Sequence, residues 1–249
     1  STILLNLDGK IILFDPIFSN AASPLPFLVR RFQKPPISLK ELPKIDFIVI
    51  SHDHYDHLDK KTIKFFRKKT TKFLTPLGVG SHLKKWGISS ERIVELDWME
   101  IAKFEDLTFV ATPAQHFSGR SFGDRNKTLW ASWVVKNQTS NVYFSGDSGY
   151  ADHFKQIGDK FGPFDIAFVE SGQYNQKWKE VHLLPAQWAQ VAADLKIKAY
   201  FPIHWGMFEL SLHAWFEPIE KLKIISKENN FELINPILGQ IVSIPKSNQ

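Results

Sequence analysis

The amino-acid sequence predicts an α/β or layered α+β sandwich fold. Short apolar strands alternate with helical segments along most of the 249 residues, and this alternation is typical of sheets that are covered by helices. Phe47–Ser51 is almost continuously apolar, which indicates a strand buried on both faces. A chain of this length buries a large core, and no internal segment has the composition of a linker. We therefore expect a single domain over residues 1–249.

The hydrophobic pattern gives the order of the elements. Thr2–Leu7 and Lys10–Phe14 flank Asp8-Gly9, which predicts a hairpin. Asp59 is a suitable N-cap for a helix from about Lys60 to Lys69. Further strands are predicted at Lys72–Leu74, Ile93–Leu96, Leu107–Ala111, Leu129–Val135, Asn141–Ser145, Ile166–Val169 and Ala199–Ile203. Further helices are predicted at Leu77–Lys85, Asp152–Phe161, Pro185–Leu195 and Ala214–Lys227.

The composition excludes several classes of function. Because the chain contains no cysteine, it has no disulfides, no thiolate metal site and no cysteine nucleophile. Aromatic residues make up 14% of the chain, which indicates a bulky core or an apolar binding surface. The net charge of +5 favours anionic partners only slightly. No apolar run approaches the roughly 18 residues of a membrane span. The chain starts in a strand at Ser1 without an initiator Met, so we expect the natural N-terminus to be truncated.

The strongest chemical signal is the dense cluster of ionisable residues from His52 to Asp59, directly after the buried strand. Imidazole nitrogens and carboxylate oxygens are the ligands that zinc and similar cations bind. His52 and His54 are two residues apart, so an extended backbone points both side chains the same way. Asp56 and His57 follow in a turn, where they are placed to serve a second metal. A polar loop with helix-capping aspartates is the alternative, but it gives such density no structural use.

Three further candidate ligands each come just after a predicted strand. His116 follows Leu107–Ala111, Asp147 follows Asn141–Ser145, and His204 follows Ala199–Ile203. Taken singly, each histidine is more typical of a structural residue, and Asp147 between two glycines is equally typical of a turn. Because sites in layered α/β folds form at the carboxyl ends of strands, their shared position favours convergence on one point.

These residues resemble a known family. The pattern His52-x-His54-x-Asp56-His57, with the later His116, Asp147 and His204 in order, is similar to the metallo-β-lactamase superfamily signature. The flanking segments resemble the branch of N-acylphosphatidylethanolamine-hydrolysing phospholipases D and their bacterial relatives. Matching stretches are 15–19, 50–59, 95–98, 112–116, 146–150, 161–165 and 203–206. The resemblance implies an αββα sandwich, and the family's short Gly-His segment before Thr2 is missing here.

The resemblance implies two metals per chain and the residues that bind them. One metal is held by His52, His54 and His116, the second by Asp56, His57 and His204, and Asp147 bridges both. Nitrogen and oxygen ligands without sulfur suit Zn²⁺, with Fe or Mn as alternatives. Two such metals would share and activate a water as a bridging hydroxide. The resemblance thus gives Asp147 and Asp56 catalytic as well as metal-binding roles.

Several other residues match the family pattern near its pocket. His182 is the third candidate catalytic residue: it contacts the substrate phosphate or protonates the leaving oxygen, or else it only caps the following helix. Asp59 either orients a metal-ligating imidazole or only caps its helix. The pattern also places five residues near the pocket, although each is more typical of a packing or surface residue: Ser118, Arg120, Tyr150, Gln173 and Tyr174. Three histidines lack a supporting pattern and are predicted to be structural: His82, His153 and His213.

Two surface segments leave alternatives open. The run Lys60–Lys72 holds seven Lys or Arg residues, which suit phospholipid headgroups or nucleic acid, or simply form the solvated face of a helix. Pro24–Phe32 mixes apolar residues with Arg30 and Arg31. It lines an acyl-chain groove or touches a membrane, or else it packs on the core.

The predicted function is a metal-dependent phosphodiesterase of the phospholipase D type, acting on N-acylphosphatidylethanolamine or a related phospholipid. A lactonase or other small-ester hydrolase is the second interpretation, and a non-catalytic metal- or nucleic-acid-binding protein is the third, since fold alone never fixes function. We expect a phospholipid or small-molecule substrate and no nucleic-acid partner. Peripheral membrane contact and a homodimer are compatible with the family pattern, and the expected location is the cytoplasm or the membrane surface.

Overall fold

Two β-sheets form the centre of the molecule in the computed structural model, which describes residues 2–25 and 27–245. The strands of the first sheet are β1 Ile3–Leu7, β2 Lys10–Phe14, β3 Phe47–Val49, β4 Lys72–Pro76 and β5 Ile93–Leu96, in that spatial order. The second sheet contains β6 Ile101–Phe104, β7 Leu107–Thr112, β8 Ser132–Lys136, β9 Asn141–Phe144, β10 Phe164–Glu170, β11 Ile197–Ile203 and β12 Glu232–Leu233. Its spatial order is β12-β11-β10-β9-β8-β7-β6. Strands β9 to β12 are parallel, and β6 to β9 are antiparallel.

Helices cover the outer face of each sheet. They are α1 Lys60–Phe65, α2 Gly80–Lys85, α3 His153–Phe161, α4 Trp188–Leu195 and α5 Glu217–Glu228. Buried side chains of α1 and α2 pack on the outer face of the first sheet, and those of α3, α4 and α5 pack on the second. A third apolar cluster, which includes Phe14, Phe47, Trp133 and Phe144, lies between the sheets. These three clusters define four layers, so the predicted αββα sandwich is confirmed.

The predicted elements are present, with changes at their ends. The helix predicted from Leu77 begins only at Gly80, because Gly78 has a left-handed φ of +84° that an α-helix does not contain. The helix predicted to Lys69 ends at Phe65, where the guanidinium of Arg92 instead binds the carbonyls of residues 66, 67 and 69. Strands β6 and β12 were not predicted. Among residues 2–25 and 27–245, every helix is too short or too polar to cross a bilayer.

Candidate metal centre

The seven residues that the sequence suggests as ligands lie together at one edge of the sandwich. They are His52, His54, Asp56, His57, His116, Asp147 and His204. Asp147 is central, because its Oδ2 atom lies 3.2 Å from Nε2 of His57 and 3.3 Å from Nε2 of His204. The same oxygen lies 3.9 Å from Nε2 of His52 and 3.8 Å from Nε2 of His116. Four imidazole nitrogens therefore face one carboxylate oxygen.

Two subsets of ligand atoms can be distinguished within the cluster. Nδ1 of His54 lies 2.9 Å from Nε2 of His52 and 3.2 Å from Nε2 of His116. On the other side, Oδ2 of Asp56 lies 3.0 Å from Nε2 of His204 and 3.4 Å from Nε2 of His57. These are the two groups of three that the family resemblance assigns to separate metals, with Asp147 between them.

The strands of both sheets bring these side chains together from distant parts of the sequence. The cluster from His52 to His57 follows β3, His116 follows β7, Asp147 follows β9 and His204 follows β11. His204 has a left-handed φ of 65°, which is rare for a residue with a Cβ atom. Strained backbone of this kind is concentrated at functional sites, where the surrounding structure maintains it. The turn after β11 thereby directs an imidazole inward.

Hydrogen bonds on the far side of three of the rings fix the orientation of their ligand nitrogens. Nδ1 of His57 lies 2.6 Å from Oδ2 of Asp15, and Nδ1 of His116 lies 3.0 Å from the carbonyl of Val181. Nδ1 of His52 lies 2.9 Å from Oγ of Ser51. Because an Nδ1 proton held in this way leaves Nε2 unprotonated in a neutral ring, these contacts direct Nε2 atoms at the cluster.

The electrostatics favour neutral imidazoles at His52, His54 and His116 beside the ionised carboxylate of Asp147. Burial, followed by the neighbouring imidazoles, holds the pKa of His52 well below its usual value. Burial likewise lowers the pKa of His54 and, well below its usual value, that of His116. Burial raises the pKa of Asp147, but the imidazoles of His204 and His57 outweigh this and hold the pKa well below its usual range. Neutral imidazole and carboxylate are the forms that bind cations.

His57 differs from those three imidazoles because its pKa is raised, and this difference also fits a cation site. Burial lowers the pKa of His57, but the carboxylates of Asp147 and Asp56 outweigh it, so the pKa is raised well above its usual value. The excess negative charge is thus balanced by a proton at the place where a cation would bind. Among the described residues, Nε2 of His57 and Oδ1 of Asp147 are buried without a hydrogen-bond partner. Unsatisfied buried polar atoms on two of the candidate ligands fit a cation-binding role.

Some of the remaining candidate residues lie beside the cluster, and others support nearby segments of the chain. His182 lies beside the cluster, with its ring centroid 5.2 Å from that of His116. Gln173 borders a small cleft with Asp56 and His204. Asp59 does not contact an imidazole in the described structure: it caps α1 by accepting the N–H of Lys61 at 2.9 Å. Of its two predicted alternatives, the structure therefore favours the helix cap.

Four of the residues predicted near the pocket make contacts that support loops. Oγ of Ser118 donates to the carbonyl of Thr128, and Arg120 donates to the carbonyls of Asp53 and Leu58. The hydroxyl of Tyr150 donates to Asp194, and that of Tyr174 donates to Glu217. The three histidines predicted to be structural also bind elsewhere: His82 contacts Asp53, His153 contacts Ser148, and His213 contacts the carbonyl of Gly172.

The sequence reasoning missed two buried carboxylates next to the cluster. Asp15 contacts His57, and Glu170 contacts His182 at 3.3 Å. Asp15 begins the family-like stretch 15–19, which was a usable signal. Glu170 also had a signal, because it directly follows the predicted strand Ile166–Val169, as the candidate ligands follow theirs.

Apolar segments lie beside the cluster on the side of His204. Residues 20–22 pair with residues 29–31 in a small hairpin, whose Arg31 pairs with Phe208, and Met207 and Phe208 line the cleft beside His204. An apolar rim of exposed side chains lies on this hairpin and on residues 210–216: Leu25, Phe27, Leu28, Phe32, Leu210, Leu212, Trp215 and Phe216. Pro26, within the predicted segment Pro24–Phe32, lies outside the described residues. Ile63 and Phe66 of the basic run Lys60–Lys72 point inward, which fits the solvated face of a helix.

A groove of about 500 Å³ continues from this region. It is bordered by Tyr174, Leu184, Pro185, Leu212 and Lys221 among others, and apolar atoms form most of its surface. Tyr174 adjoins Gln173 of the cleft, and Leu184 is two residues beyond His182. The groove therefore borders the two segments that carry Gln173 and His182.

Comparison with known proteins assigns the chain to a family. The family model described as "Beta-lactamase superfamily domain" matches residues 10–205. An uncharacterized protein of Mycobacterium tuberculosis is 43% identical over 97% of this chain, and the chain spans 66% of that protein's length. The N-acyl-phosphatidylethanolamine-hydrolyzing phospholipase D 1 of Caenorhabditis elegans is 36% identical, over 90% of this chain and 67% of its own length. The chain belongs to the β-lactamase superfamily and, within it, to the branch that resembles these phospholipases.

Solved structures agree with this fold. A metallo hydrolase from the archaeon Ignicoccus hospitalis superposes with a TM-score of 0.72 over 97% of this chain and 93% of its own. Its sequence is 19% identical, so the likeness concerns the fold alone. The metallo-hydrolase sandwich is therefore shared by proteins whose sequences have diverged widely.

Proposed function

We propose that this chain is a metal-dependent phosphodiesterase of the phospholipase D type, which cleaves N-acylphosphatidylethanolamine or a related phospholipid. The observation that carries the proposal is the convergence of four imidazole Nε2 atoms within 3.9 Å of Oδ2 of Asp147. The 36% identity with a phospholipase of that name supports the substrate class. The chain spans 66% of the length of the mycobacterial relative. The activity of the whole protein is therefore proposed here together with that of this chain.

The donor set suits two divalent cations. His52, His54 and His116 would hold one, Asp56, His57 and His204 the other, and Asp147 would contact both. Nitrogen and oxygen donors without sulfur favour Zn²⁺, with Fe or Mn as alternatives. Cations bound here would lower the pKa of a water and neutralise the negative charge that develops on the phosphate.

The chain's own residues would divide the remaining work. Asp147 fixes the two ligand groups relative to each other, and its ionised carboxylate accepts hydrogen bonds from a water that approaches the phosphate. A nitrogen of His182 lies within 4.8 Å of ligand atoms of His116 and Asp147. Burial lowers the pKa of His182, but the carboxylate of Glu170 outweighs this effect and raises the pKa to about 9. A protonated imidazole there donates a proton to the leaving oxygen.

The surroundings of the cluster favour a lipid over a small lactone. The rim and the groove of about 500 Å³ are apolar and open, whereas a lactonase needs only a small polar cavity. Acyl chains would lie in the groove or against the rim, which removes their apolar surface from water. Peripheral contact with a membrane surface follows from the same side chains.

Hydrolysis in ¹⁸O-water tests the reaction. The protein, purified without chelators and with its metal content measured, is incubated with N-acylphosphatidylethanolamine in mixed micelles. We expect the P–O bond to the N-acylethanolamine to break, the water oxygen to enter the phosphatidic acid, and a proton to pass to the leaving alcohol. Mass spectrometry should find ¹⁸O in the phosphatidic acid and none in the alcohol.

The variant Asp147→Asn keeps the size of the side chain and removes its charge. We expect turnover to fall by at least about 100-fold, as the loss of one group that stabilises a transition state does. Turnover by a chelator-treated, metal-free preparation contradicts the proposal. Incorporation of ¹⁸O into a carboxylate, or activity on a lactone panel without activity on phosphodiesters, supports an ester hydrolase instead.

A further inference from the structure

Glu170 lies beneath the candidate metal centre at the end of β10, and its side chain is fully buried. It is paired in register with Ile203 of β11, so its carboxylate lies beside the residue that follows, His204. The segment that carries His182 passes over the same carboxylate, because the N–H of Leu183 donates to Oε1 at 2.6 Å. Glu170 is therefore placed between two histidines from different segments.

Each oxygen of this carboxylate faces one imidazole. Oε1 lies 3.3 Å from Nδ1 of His182, and Oε2 lies 3.9 Å from Nδ1 of His204. The two rings are stacked, with centroids 5.5 Å apart and planes inclined by 11°. The carboxylate of Glu170 therefore lies next to the same atom, Nδ1, of both rings.

A purely structural role does not account for this placement. Burial of a carboxylate is costly in free energy unless donors surround it. The N–H of Leu183 satisfies one oxygen, but in the part of the chain that the structure describes, Oε2 of Glu170 and Nδ1 of His182 are buried without a hydrogen-bond partner. Nδ1 of His182 lies 3.3 Å from Oε1 of Glu170, and Oε2 lies 3.9 Å from Nδ1 of His204. Catalytic hydrogen bonds are often this long without ligands and tighten when the site is filled.

We propose that Glu170 is a positioning residue that accepts the Nδ1 proton of His182 and, on its other oxygen, that of His204. The proposal rests on the proposed function, in which His182 donates a proton and His204 binds a cation. Holding Nδ1 directs the other nitrogen of each ring away from Glu170. A His182 nitrogen lies within 4.8 Å of ligand atoms of His116 and Asp147, close to where the leaving oxygen would be.

The test compares Glu170→Gln with Glu170→Asp and with Asp165→Asn. Glu170→Gln keeps the size of the side chain but offers one acceptor oxygen instead of two and removes the charge. Glu170→Asp keeps both oxygens on a shorter stem. Asp165→Asn is the matched control, because Asp165 is a buried carboxylate on the same strand that binds Lys198 instead of the cluster.

The first readout needs no turnover. In metal-free protein labelled with ¹⁵N-histidine, we expect the Nδ1 proton of His182 to give a hydrogen-bonded resonance in the unmodified chain and in Asp165→Asn. This resonance should be lost or shifted in Glu170→Gln and retained in Glu170→Asp. An unchanged Nδ1 resonance in Glu170→Gln overturns the proposal.

The second readout separates proton donation from general damage. With both Zn²⁺ sites saturated and an alkyl alcohol as leaving group, Glu170→Gln should lower kcat by about 10 to 100-fold, as loss of a supporting carboxylate does. With 4-nitrophenolate, which leaves without a proton, the loss should be less than about threefold. The double variant Glu170→Gln/His182→Ala should be no slower than His182→Ala. Equal losses on both substrates, or additive losses in the double variant, overturn the proposal.

The two proposals fail in different ways. If the unmodified chain hydrolyses no phosphodiester, the proposed function fails, while the resonance of His182 and the cation affinity still test Glu170. Competition with a chelating dye should show one weakened Zn²⁺ site in Glu170→Gln, because His204 loses its support, and two unchanged sites in Asp165→Asn. Unchanged affinity at both sites in Glu170→Gln contradicts the role at His204.

Discussion

Nδ1 of His57 lies 2.6 Å from Oδ2 of Asp15, and both side chains are completely buried. Asp15 also accepts the N–H of Ser51 at 2.7 Å and its hydroxyl at 2.6 Å. Its φ of 39° lies in the left-handed region, which shows that the chain accepts strain immediately after β2 to place this carboxylate. The carboxylate therefore both orients an imidazole of the cluster and fastens β2 to the loop after β3.

The substitution Asp15→Asn should weaken cation binding. The amide keeps one acceptor oxygen but loses the charge, so the contacts to His57 and Ser51 are no longer all satisfied. Loss of such a supporting carboxylate costs about 10 to 100-fold in metal affinity, and an unsatisfied buried group costs about 1–3 kcal/mol of unfolding free energy. Competition with a chelating dye measures the first quantity, and urea unfolding measures the second.

Asp59→Asn is the matched control for this prediction. Asp59 caps α1 and binds Ser19 and Thr62, all away from the imidazoles. We expect a loss of stability of about 1 kcal/mol or less, since asparagine is also a good N-cap, and unchanged cation affinity. If Asp59→Asn weakens cation binding as much as Asp15→Asn does, the roles of the two carboxylates have been assigned the wrong way round.

The sequence was sufficient for the layers and for the convergence of the cluster. In the predicted strand Leu107–Ala111, side chains alternate between faces, so that Phe109 and Ala111 lie in the cluster between the sheets and Val110 lies in the cluster under the helices. Residues after Phe47–Ser51, Leu107–Ala111 and Asn141–Ser145 were predicted to meet because sites in layered α/β folds form at the carboxyl ends of strands. Local pattern carries this information directly.

The contacts that the supporting carboxylates make were beyond the reach of local pattern. Asp15 and His57 are 42 residues apart, and their contact depends on the register of β2 against β3. Glu170 was predicted to lie beyond the end of a strand at Val169, where a carboxylate is usually solvated, but β10 continues through it into the interior. The choice for Asp59 was open for the same reason, because a helix cap and an imidazole contact are equally compatible with its position in the sequence.

His153 should make the free energy of unfolding depend on pH. Its ring is buried against Phe154 and Ser148, and burial lowers its pKa from 6.5 to about 4. Between these pH values the unfolded chain binds a proton that the folded chain does not. Stability therefore falls as the pH decreases from 6.5 towards about 4, by roughly 3 kcal/mol at most from this group.

The variant His153→Gln keeps a polar side chain but does not titrate in this range. Urea unfolding of metal-free protein at pH 7 and at about pH 4.5 should show a smaller loss of stability in the variant than in the unmodified chain. Proton uptake on unfolding should decrease by about one proton. The same pH dependence in both proteins would show that protonation of the His153 ring does not lower the free energy of unfolding.

The hairpin tip of the apolar rim should determine binding to lipid aggregates. Phe27 and Leu28 are 60% and 47% exposed, on a hairpin whose stem is joined to Phe208 beside the cleft. Complete burial of one such side chain contributes about 1.5–3 kcal/mol. Partial insertion of both into a lipid interface would therefore contribute enough to change binding by roughly 10 to 100-fold.

The double variant Phe27→Ser/Leu28→Ser should lower turnover of vesicle-embedded N-acylphosphatidylethanolamine by about 10-fold or more and should weaken sedimentation with the vesicles to the same degree. Turnover of soluble bis(4-nitrophenyl) phosphate should not change, because Phe27 and Leu28 are exposed and neither is a candidate ligand. Ile101→Ser is the matched control, since Ile101 is 51% exposed on β6, at the opposite edge of the sheet from β12. A decrease in turnover of both substrates would place the hairpin in the architecture of the site, and an equal effect of Ile101→Ser would show that exposed apolar area binds vesicles without regard to its position.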